Sequence, residues 1–297
     1  MLAKMMVVAG LLAAPSAMAG GFSLTNYTHS ATWSLPVAAD EASAITYNWD
    51  TGTLFVLGDE GDAIVEVSAA DGSVLSTMTL TGFDDTEGLT YIGGGQFVIG
   101  EERIQDVYRL TYTAGGSAAR STLASASIGP TVGNVGIEGF SYDPRNGRFV
   151  LVKEKTPQGV YDTAITFTAP PVPPGGPGPD INPGNLFDPG LLSVLDLSDV
   201  QVLATYGALA GTAAEDQLLI YSQESSLLMH VTRAGAVLST FSFAGIASDA
   251  EGVTIGADGT IYVCGETPEI YVLTPVPSPS GAALLGLWGL CAVRRRR

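Results

Sequence analysis

From residue 43 onward the chain alternates short apolar runs with turn residues, and one pattern returns five times. It reads Ser43-Ala-Ile-Thr-Tyr47 followed by Leu54-Phe-Val-Leu-Gly-Asp-Glu60, then Glu87-Gly-Leu-Thr-Tyr91 followed by Gln96-Phe-Val-Ile-Gly-Glu-Glu102. The third is Glu138-Gly-Phe-Ser-Tyr142 with Arg148-Phe-Val-Leu-Val-Lys-Glu154, and the fourth, looser, is Ser198-Asp-Val200 with Leu218-Leu-Ile-Tyr-Ser-Gln-Glu224. The last is Glu251-Gly-Val-Thr-Ile255 with Ile261-Tyr-Val-Cys-Gly-Glu266. Runs of this length are too short for core helices and are rich in β-branched and aromatic residues, so each unit predicts two strands. Asn146-Gly147 and Asp258-Gly259 between them are strong hairpin signals, since a type I′ turn needs positive φ at both central residues. Third strands follow at residues 63–67, 107–110 and 269–273, and fourth strands at 74–78 and 237–241.

Four short strands repeated every 40 to 60 residues or so predict an all-β fold, a β-propeller of four-stranded blades. Five units imply five blades, with six as the alternative because the fourth is stretched. Residues 27–35 precede the first unit and are placed to supply the outer strand of the last blade, closing the ring. A Pro/Gly-rich loop at about 170–189, holding Pro170-Pro171-Val-Pro-Pro174, accounts for the stretch, since proline cannot donate to a ladder.

Both ends read as addresses. Lys4, an apolar run at 5–14 and Ala17-Met18-Ala19 make a secretory signal peptide over residues 1–19, so export is expected. The propeller then covers 20–275, and residues 276–297 form a tail with Val276-Pro-Ser-Pro279, an apolar segment at 281–293 and four arginines at 294–297. The apolar segment is shorter than the roughly 20 residues of an ordinary span, and the arginines stay cytoplasmic by the positive-inside rule. These residues resemble the PEP-CTERM sorting signal, with Ser278 where that signal usually has Glu. The resemblance implies an exosortase-type processing enzyme as a partner, and membrane contact through the tail before processing; a plain tail anchor is the alternative.

Charge narrows the chemistry. The two ends hold five of the 13 bases, so residues 20–275 set 30 acids against eight bases, a balance of −22. That excludes nucleic acid, which needs clustered Lys/Arg against phosphate. Cys264 has no partner within the body, and His29 and His230 are isolated, so neither a disulfide nor a histidine-based triad is expected. Trp33 and Trp49 are expected between blades.

Two acid sets share the repeat frame. Ser43, Glu87, Glu138, Ser198 and Glu251 open the inner strands and should ring the channel. Glu60, Glu102, Glu154, Glu224 and Glu266 close the second strands. Three glutamates on one channel repel, each pair by roughly 3 kcal/mol at ~6 Å and an effective dielectric of ~20. Raised pKa values, paired bases or a bound cation relieve this. A hard cation such as Ca²⁺ suits oxygen ligands, with Glu87, Glu138 and Glu251 as ligands and Glu102, Glu154 and Glu266 as additions; glutamates bracing blades through backbone N–H groups are the alternative. No catalytic or organic-cofactor residue stands out.

The Glu-Ala-Ser-Ala-Ile-Thr-Tyr segment at 41–47, the Glu-Gly openings and the Gly-Asp-Glu and Gly-Glu-Glu strand ends resemble the SdiA-regulated propeller family over about 38–274. A related phytase-like family shares the Glu-Gly opening. The first resemblance implies a calcium-responsive propeller of the cell envelope or extracellular matrix, a binding or scaffolding module without an assigned reaction, its ligand or matrix partner unnamed. The second implies a metal-dependent phosphoester hydrolase. A lactonase-like propeller ranks last, because neither histidine falls in the repeat frame.

Export and tail processing have a direct readout. Mass spectrometry of the mature protein from an exosortase-bearing host should find Gly20 at the N-terminus and no arginines from 294–297; the intact tail there refutes processing.

Overall fold

The apolar runs become strands buried on both faces. In β3 (Thr53–Gly58), Phe55 and Leu57 pack with Leu89, Tyr91, Phe97 and Ile99, while Leu54 and Val56 pack with Tyr262, Cys264 and Ile270. A strand covered on both sides reads as a continuous apolar run rather than an alternating one. The computed structural model describes residues 21–129, 133, 135–170 and 185–276. The signal-peptide, membrane-segment and arginine-tail expectations lie outside the described residues. Among the described residues, no helix is long and apolar enough to cross a membrane.

Five sheets make five blades. Blade 5 is β1 (Tyr27–Ser34) with β18 (Ala250–Ile255), β19 (Ile261–Gly265) and β20 (Glu269–Pro275), ordered β1-β20-β19-β18. Blade 1 is β2 (Ala42–Asn48), β3, β4 (Ala63–Ser68) and β5 (Val74–Thr81), extended by β9 (Ser117–Ala119), which pairs with β5 in parallel. Blade 2 is β6 (Thr86–Gly93), β7 (Gln96–Glu101), β8 (Asp106–Thr111) and β10 (Ala124–Ser127). Blade 3 is β11 (Ile137–Asp143), β12 (Arg148–Lys153) and β13 (Gly159–Thr163). Blade 4 is β14 (Asp199–Val202), β15 (Gln217–Ser222), β16 (Leu227–Thr232) and β17 (Val237–Ser242).

The ring therefore has five blades, not six, and β1 closes it by pairing antiparallel with β20 from Tyr27–Pro275 to Ser34–Glu269. Not every blade is four-stranded as expected. Blade 3 has three strands, and its outer position is taken by the far flank of the proline-rich insert, where the Leu186 N–H donates to the Val160 carbonyl. Phe187, Leu192 and Leu197 from that flank are buried with Val150, Val152 and Val160. Residues 171–184 of the expected loop lie outside the described residues, and beyond them Phe187, Pro189 and Leu192 are buried while Asn185, Asp188 and Gly190 are exposed. The hairpin turns also differ in type. At Asn146-Gly147 and Asp258-Gly259 only the glycine has positive φ, and among the described residues Gly94-Gly95 alone makes a two-residue turn with both φ positive.

The remaining core residues behave as expected. Cys264 and His230 are buried, with His230 Nε2 2.7 Å from Gln217 Oε1 and its pKa lowered to about 4 by burial. Trp49 packs edge-on against Tyr91 across the blade 1–2 seam.

The inner strands β2, β6, β11, β14 and β18 surround the axis and pack in that order. Hydroxyls at one repeat level stitch them together. Thr254 Oγ1 accepts from the Tyr47 N–H (3.0 Å), Thr46 Oγ1 from Tyr91 N–H (3.1 Å), Thr90 Oγ1 from Tyr142 N–H (3.1 Å) and Ser141 Oγ from Val202 N–H (3.0 Å). Gln201 holds the fifth place, its Oε1 accepting from Thr254 Oγ1 at 2.9 Å. The ring is continuous, and each member lies three residues after Ser43, Glu87, Glu138, Ser198 or Glu251.

Thr46→Val tests the stitch, since it keeps shape and leaves the Tyr91 N–H buried and unpaired. Urea unfolding should show a loss of about 1–3 kcal/mol, whereas Thr51→Val at an exposed hairpin should change stability by less than about 0.5 kcal/mol.

Candidate functional site

The hydroxyl ring puts the five repeat-opening residues at one end of the channel, and a second backbone feature turns them there. β2 pairs Ala42 with Gly58 and Ala44 with Leu57, leaving Ser43 as an extra residue. The same irregularity leaves out Glu87 between Thr86 and Gly88, and Glu138 between Ile137 and Gly139. In β18 it falls between Ala250 and Val253, spanning Glu251 and Gly252. A β-bulge bends the strand and re-aims the extra side chain, so four blades present that residue out of the ladder at the channel mouth. β14 has no such bulge and begins at Asp199.

Glycine after the bulge is required by space. A Cβ on Gly88 would lie 2.1 Å from the Phe140 ring, and one on Gly139 would lie 2.1 Å from Asp199 Oδ1. Asp199, in the place of glycine in blade 4, is fully enclosed and ties blades 4 and 5. Its Oδ2 accepts from the Val253 N–H at 2.7 Å, and burial raises its pKa well above the usual range.

Glu138 and Glu251 each feel the charge of Glu87. Burial, then the charges of Asp85, Glu102 and Asp59, raises Glu87 to about 8. Burial followed by Glu87 and Glu102 raises Glu138 well above the carboxylate range. Burial followed by Glu87 and Glu266 raises Glu251 to about 10. Among the described residues no Lys or Arg forms an ion pair with any of the three. Glu251 Oε1 accepts from Gln223 Nε2 at 2.9 Å, which also reaches Glu266 Oε1 at 3.4 Å.

One compact carboxylate grouping includes one of these three. Glu102, Glu138 and Glu154 each place a carboxylate oxygen within 4.8 Å of the others, across the blade 2–3 seam. Glu102 is only 2% exposed. Next to it, Asp85 is 6% exposed, with Oδ1 2.9 Å from Arg103 Nη2 and Oδ2 buried without a partner. Asp59 Oδ1 is likewise buried and unpartnered, and Asp59 forms a second, more exposed grouping with Glu41 and Glu60. Burial and then neighbouring carboxylates, Glu41 for Asp59 and Glu102 for Asp85, raise both aspartates to about 6. The sequence pattern brought out Glu102 and Glu154 but not Asp85, although Asp85 stands two residues before Glu87 as Glu41 does before Ser43, and both have positive φ (60° and 50°).

The eight bases of the body are unevenly placed. Arg145, Arg148 and Arg233 join Asp143, Asp162 and Asp216 in one network on the turns at the opposite end of β11 and β12. Near the mouth, Arg120 is held by Glu101 at 2.8 Å and Arg103 by Asp85 at 2.9 Å, Lys155 lies between Glu154 and Glu224, and Lys153 feels the charges of Glu154, Glu102 and Glu138. The mouth is left with a surplus of carboxylates.

A family model described as SdiA-regulated matches residues 22–274, and the chain belongs to that family. Among solved structures, Myxococcus xanthus glutaminyl cyclase is matched at 10% identity over 84% of this chain and 95% of that one, with a TM-score of 0.49. The WD40 β-propeller domain of Doa1 is matched at 12% identity over 86% and 99%, with a TM-score of 0.47. A luciferin-regenerating enzyme is matched at 10% identity over 82% and 94%, with a TM-score of 0.49.

The raised carboxyls make a pH prediction for metal-free protein. A glutamate whose folded pKa exceeds its unfolded value of about 4.3 keeps its proton in the folded state only, so stability is full below pH ~4.3 and falls as pH rises towards the folded value. The window runs to about 8 for Glu87 and about 10 for Glu251. Each such group contributes a slope of at most about 1.4 kcal/mol per pH unit. In chelator, the melting midpoint should fall between pH 5 and pH 8, and Glu251→Gln should flatten that fall. A midpoint that rises over this interval contradicts the convergence of these groups.

Proposed function

We propose that this member of the SdiA-regulated family binds a hard divalent cation, calcium by the chemistry of its ligands, at the mouth of the channel. On this reading it works as an exported binding or scaffolding module of the cell envelope or extracellular matrix. The observation that carries the cation is the Glu102, Glu138 and Glu154 grouping, three carboxylate oxygens within 4.8 Å of one another. Like charges this close, one of them buried and two half-buried, are costly without a proton or a cation between them. Calcium accepts six to eight oxygens in flexible geometry, and the residues present fit it: every donor is oxygen, and Asp85 keeps a buried carboxylate oxygen without a partner beside Glu102. Glu102, Glu138 and Glu154 would hold the ion, with Glu87 and Asp85 contributing charge and Glu251 and Glu266 lying on the far side of the ring. Calcium would supply the positive charge that the mouth lacks, locking blades 2 and 3 at their seam.

Export rests on the residue patterns at 1–19 and 276–297. Phosphoester hydrolysis finds less support, because a phosphate would meet carboxylates first. Arg120, Arg103 and Lys155 near the mouth are already paired with acids and Lys153 donates to backbone carbonyls, so nearly all transition-state charge would have to come from metal.

Calorimetric scans with calcium and with chelator test the cation. At a calcium concentration 100 times the dissociation constant, stability should rise by about 2.7 kcal/mol, a few degrees in midpoint. Glu138→Gln should remove most of that gain, because Glu138 belongs both to the compact grouping and to the axial set. Glu154→Gln should weaken it and Glu251→Gln should weaken it less, if the ion sits at the blade 2–3 seam. A midpoint indifferent to calcium in the unmutated chain sinks the reading.

A further inference from the structure

Glu154 has two claims on it. One oxygen stands in the grouping with Glu102 and Glu138, and Glu154 Oε1 lies 2.6 Å from the ammonium of Lys155. The same ammonium is 2.8 Å from Glu224 Oε1, so Lys155 spans from blade 3 to blade 4 with a carboxylate on each side.

Both ends of this bridge are braced by the backbone around them. Lys153 Nζ donates to the carbonyls of Lys155 (2.5 Å) and Pro157 (3.3 Å), holding the turn that presents Lys155. The Glu154 N–H donates to the Gly136 carbonyl at 3.0 Å. On the other side the Glu224 N–H donates to the carboxylate of Asp196 at 3.0 Å, and the Leu195 N–H donates to Ser225 Oγ at 3.0 Å. Of the described bases, Lys155 alone has an ion pair with a member of the Glu102, Glu138 and Glu154 grouping; the Lys153 ammonium, held on its two carbonyls, feels the charges of all three and stays in place when Lys155 moves.

We infer that Lys155 is a tethered competitor for the cation site: a divalent cation entering among Glu102, Glu138 and Glu154 takes Glu154 from Lys155, and Lys155 passes wholly to Glu224. The inference rests on the cation reading of that grouping. It makes Lys155 the residue that sets affinity and discriminates by charge. A monovalent ion brings no more charge than the ammonium it displaces, whereas a divalent ion brings twice as much. Glu224 is then a receiver of Lys155 and not a ligand of the ion, and occupancy at the blade 2–3 seam changes the ion pair that joins blades 3 and 4.

Titration calorimetry of the purified chain with calcium chloride tests this, using Lys155→Gln, Lys155→Arg, Glu224→Gln and the Lys155→Gln/Glu224→Gln pair. Relieving a partly exposed ion pair and its repulsion of the ion should tighten calcium by about fivefold in Lys155→Gln, while Lys155→Arg should stay near the unmutated value. Glu224→Gln should weaken calcium about two- to fivefold, because Lys155 loses its alternative acceptor. In the Lys155→Gln background the Glu224 change should have no effect, and that non-additivity is the signature of the exchange. Calcium bound by Lys155→Gln no more tightly than by the unmutated chain overturns the inference while leaving the cation reading intact. A Glu224 effect that persists without Lys155 also overturns it, by making Glu224 a ligand. Absence of binding in both the unmutated chain and Lys155→Gln overturns the inference together with the cation reading.

Discussion

The inner strand of every blade is the free edge of a sheet turned towards an axis, and its outward N–H groups have no further strand to pair with. An unpaired buried N–H costs about as much as a lost hydrogen bond. Thr46, Thr90, Ser141 and Thr254 answer that constraint for the next blade round, and Gln201 with its longer side chain spans the place where blade 4 departs from the repeat. Because this stitching sets the five inner strands level, the residues three positions earlier arrive together at one end. The acid mouth is thus a by-product of how the edges are satisfied: any side chain in that frame position is brought to the axis, whatever its charge.

Bulges then decide which way those side chains face. Ser43, Glu87, Glu138 and Glu251 all sit at the irregularity in their strand, and the neighbouring glycines leave room for Phe140 and Asp199. Blade 4 lacks both the bulge and the glycine, and there Asp199 bonds a backbone N–H instead of joining the mouth. One chain therefore holds both roles considered for the acids, bracing in blade 4 and convergence in blades 2, 3 and 5. The separation of charge strengthens the convergence. Arg145, Arg148 and Arg233 are committed to Asp143, Asp162 and Asp216 at the opposite end, so the bases left at the mouth are outnumbered by its carboxylates.

Blade count, blade order and closure by β1 were legible because runs such as 54–57 and 261–264 must be buried on both faces and return at a steady interval. The candidate acids were legible for the same reason: Glu87, Glu138 and Glu251 hold one frame, and Glu102 and Glu154 another. What stayed hidden depends on contacts between blades. No periodicity pairs Glu102 with Glu138 and Glu154, because that meeting crosses a seam. A bulge is a single-residue departure that leaves the pattern intact, and the frame place Asp85 shares with Glu41, Asp196 and Asp249 does not say that Asp85 is the one buried beside Glu102. The three-strandedness of blade 3 was hidden too, since proline-rich composition marks a loop but does not say that Phe187 and Leu197 beyond it return to the core.

Closure by β1 has a consequence in time. Tyr27 pairs with Pro275, and the Val276 N–H donates to the Asn26 carbonyl, so the first and last strands of the propeller complete one sheet. The partner edge on β20 does not exist until nearly the whole chain has been made. Until then β1 is an unpaired strand, and blade 1 has no blade 5 to cover Leu54 and Val56. Contacts this distant along the chain place ring closure late and make folding slow relative to fold types built from local contacts. The hazard over that interval is pairing with the wrong edge, including that of another copy. The polar positions of β1, Thr28, Ser30, Thr32 and Ser34, leave only one apolar face to protect while it waits.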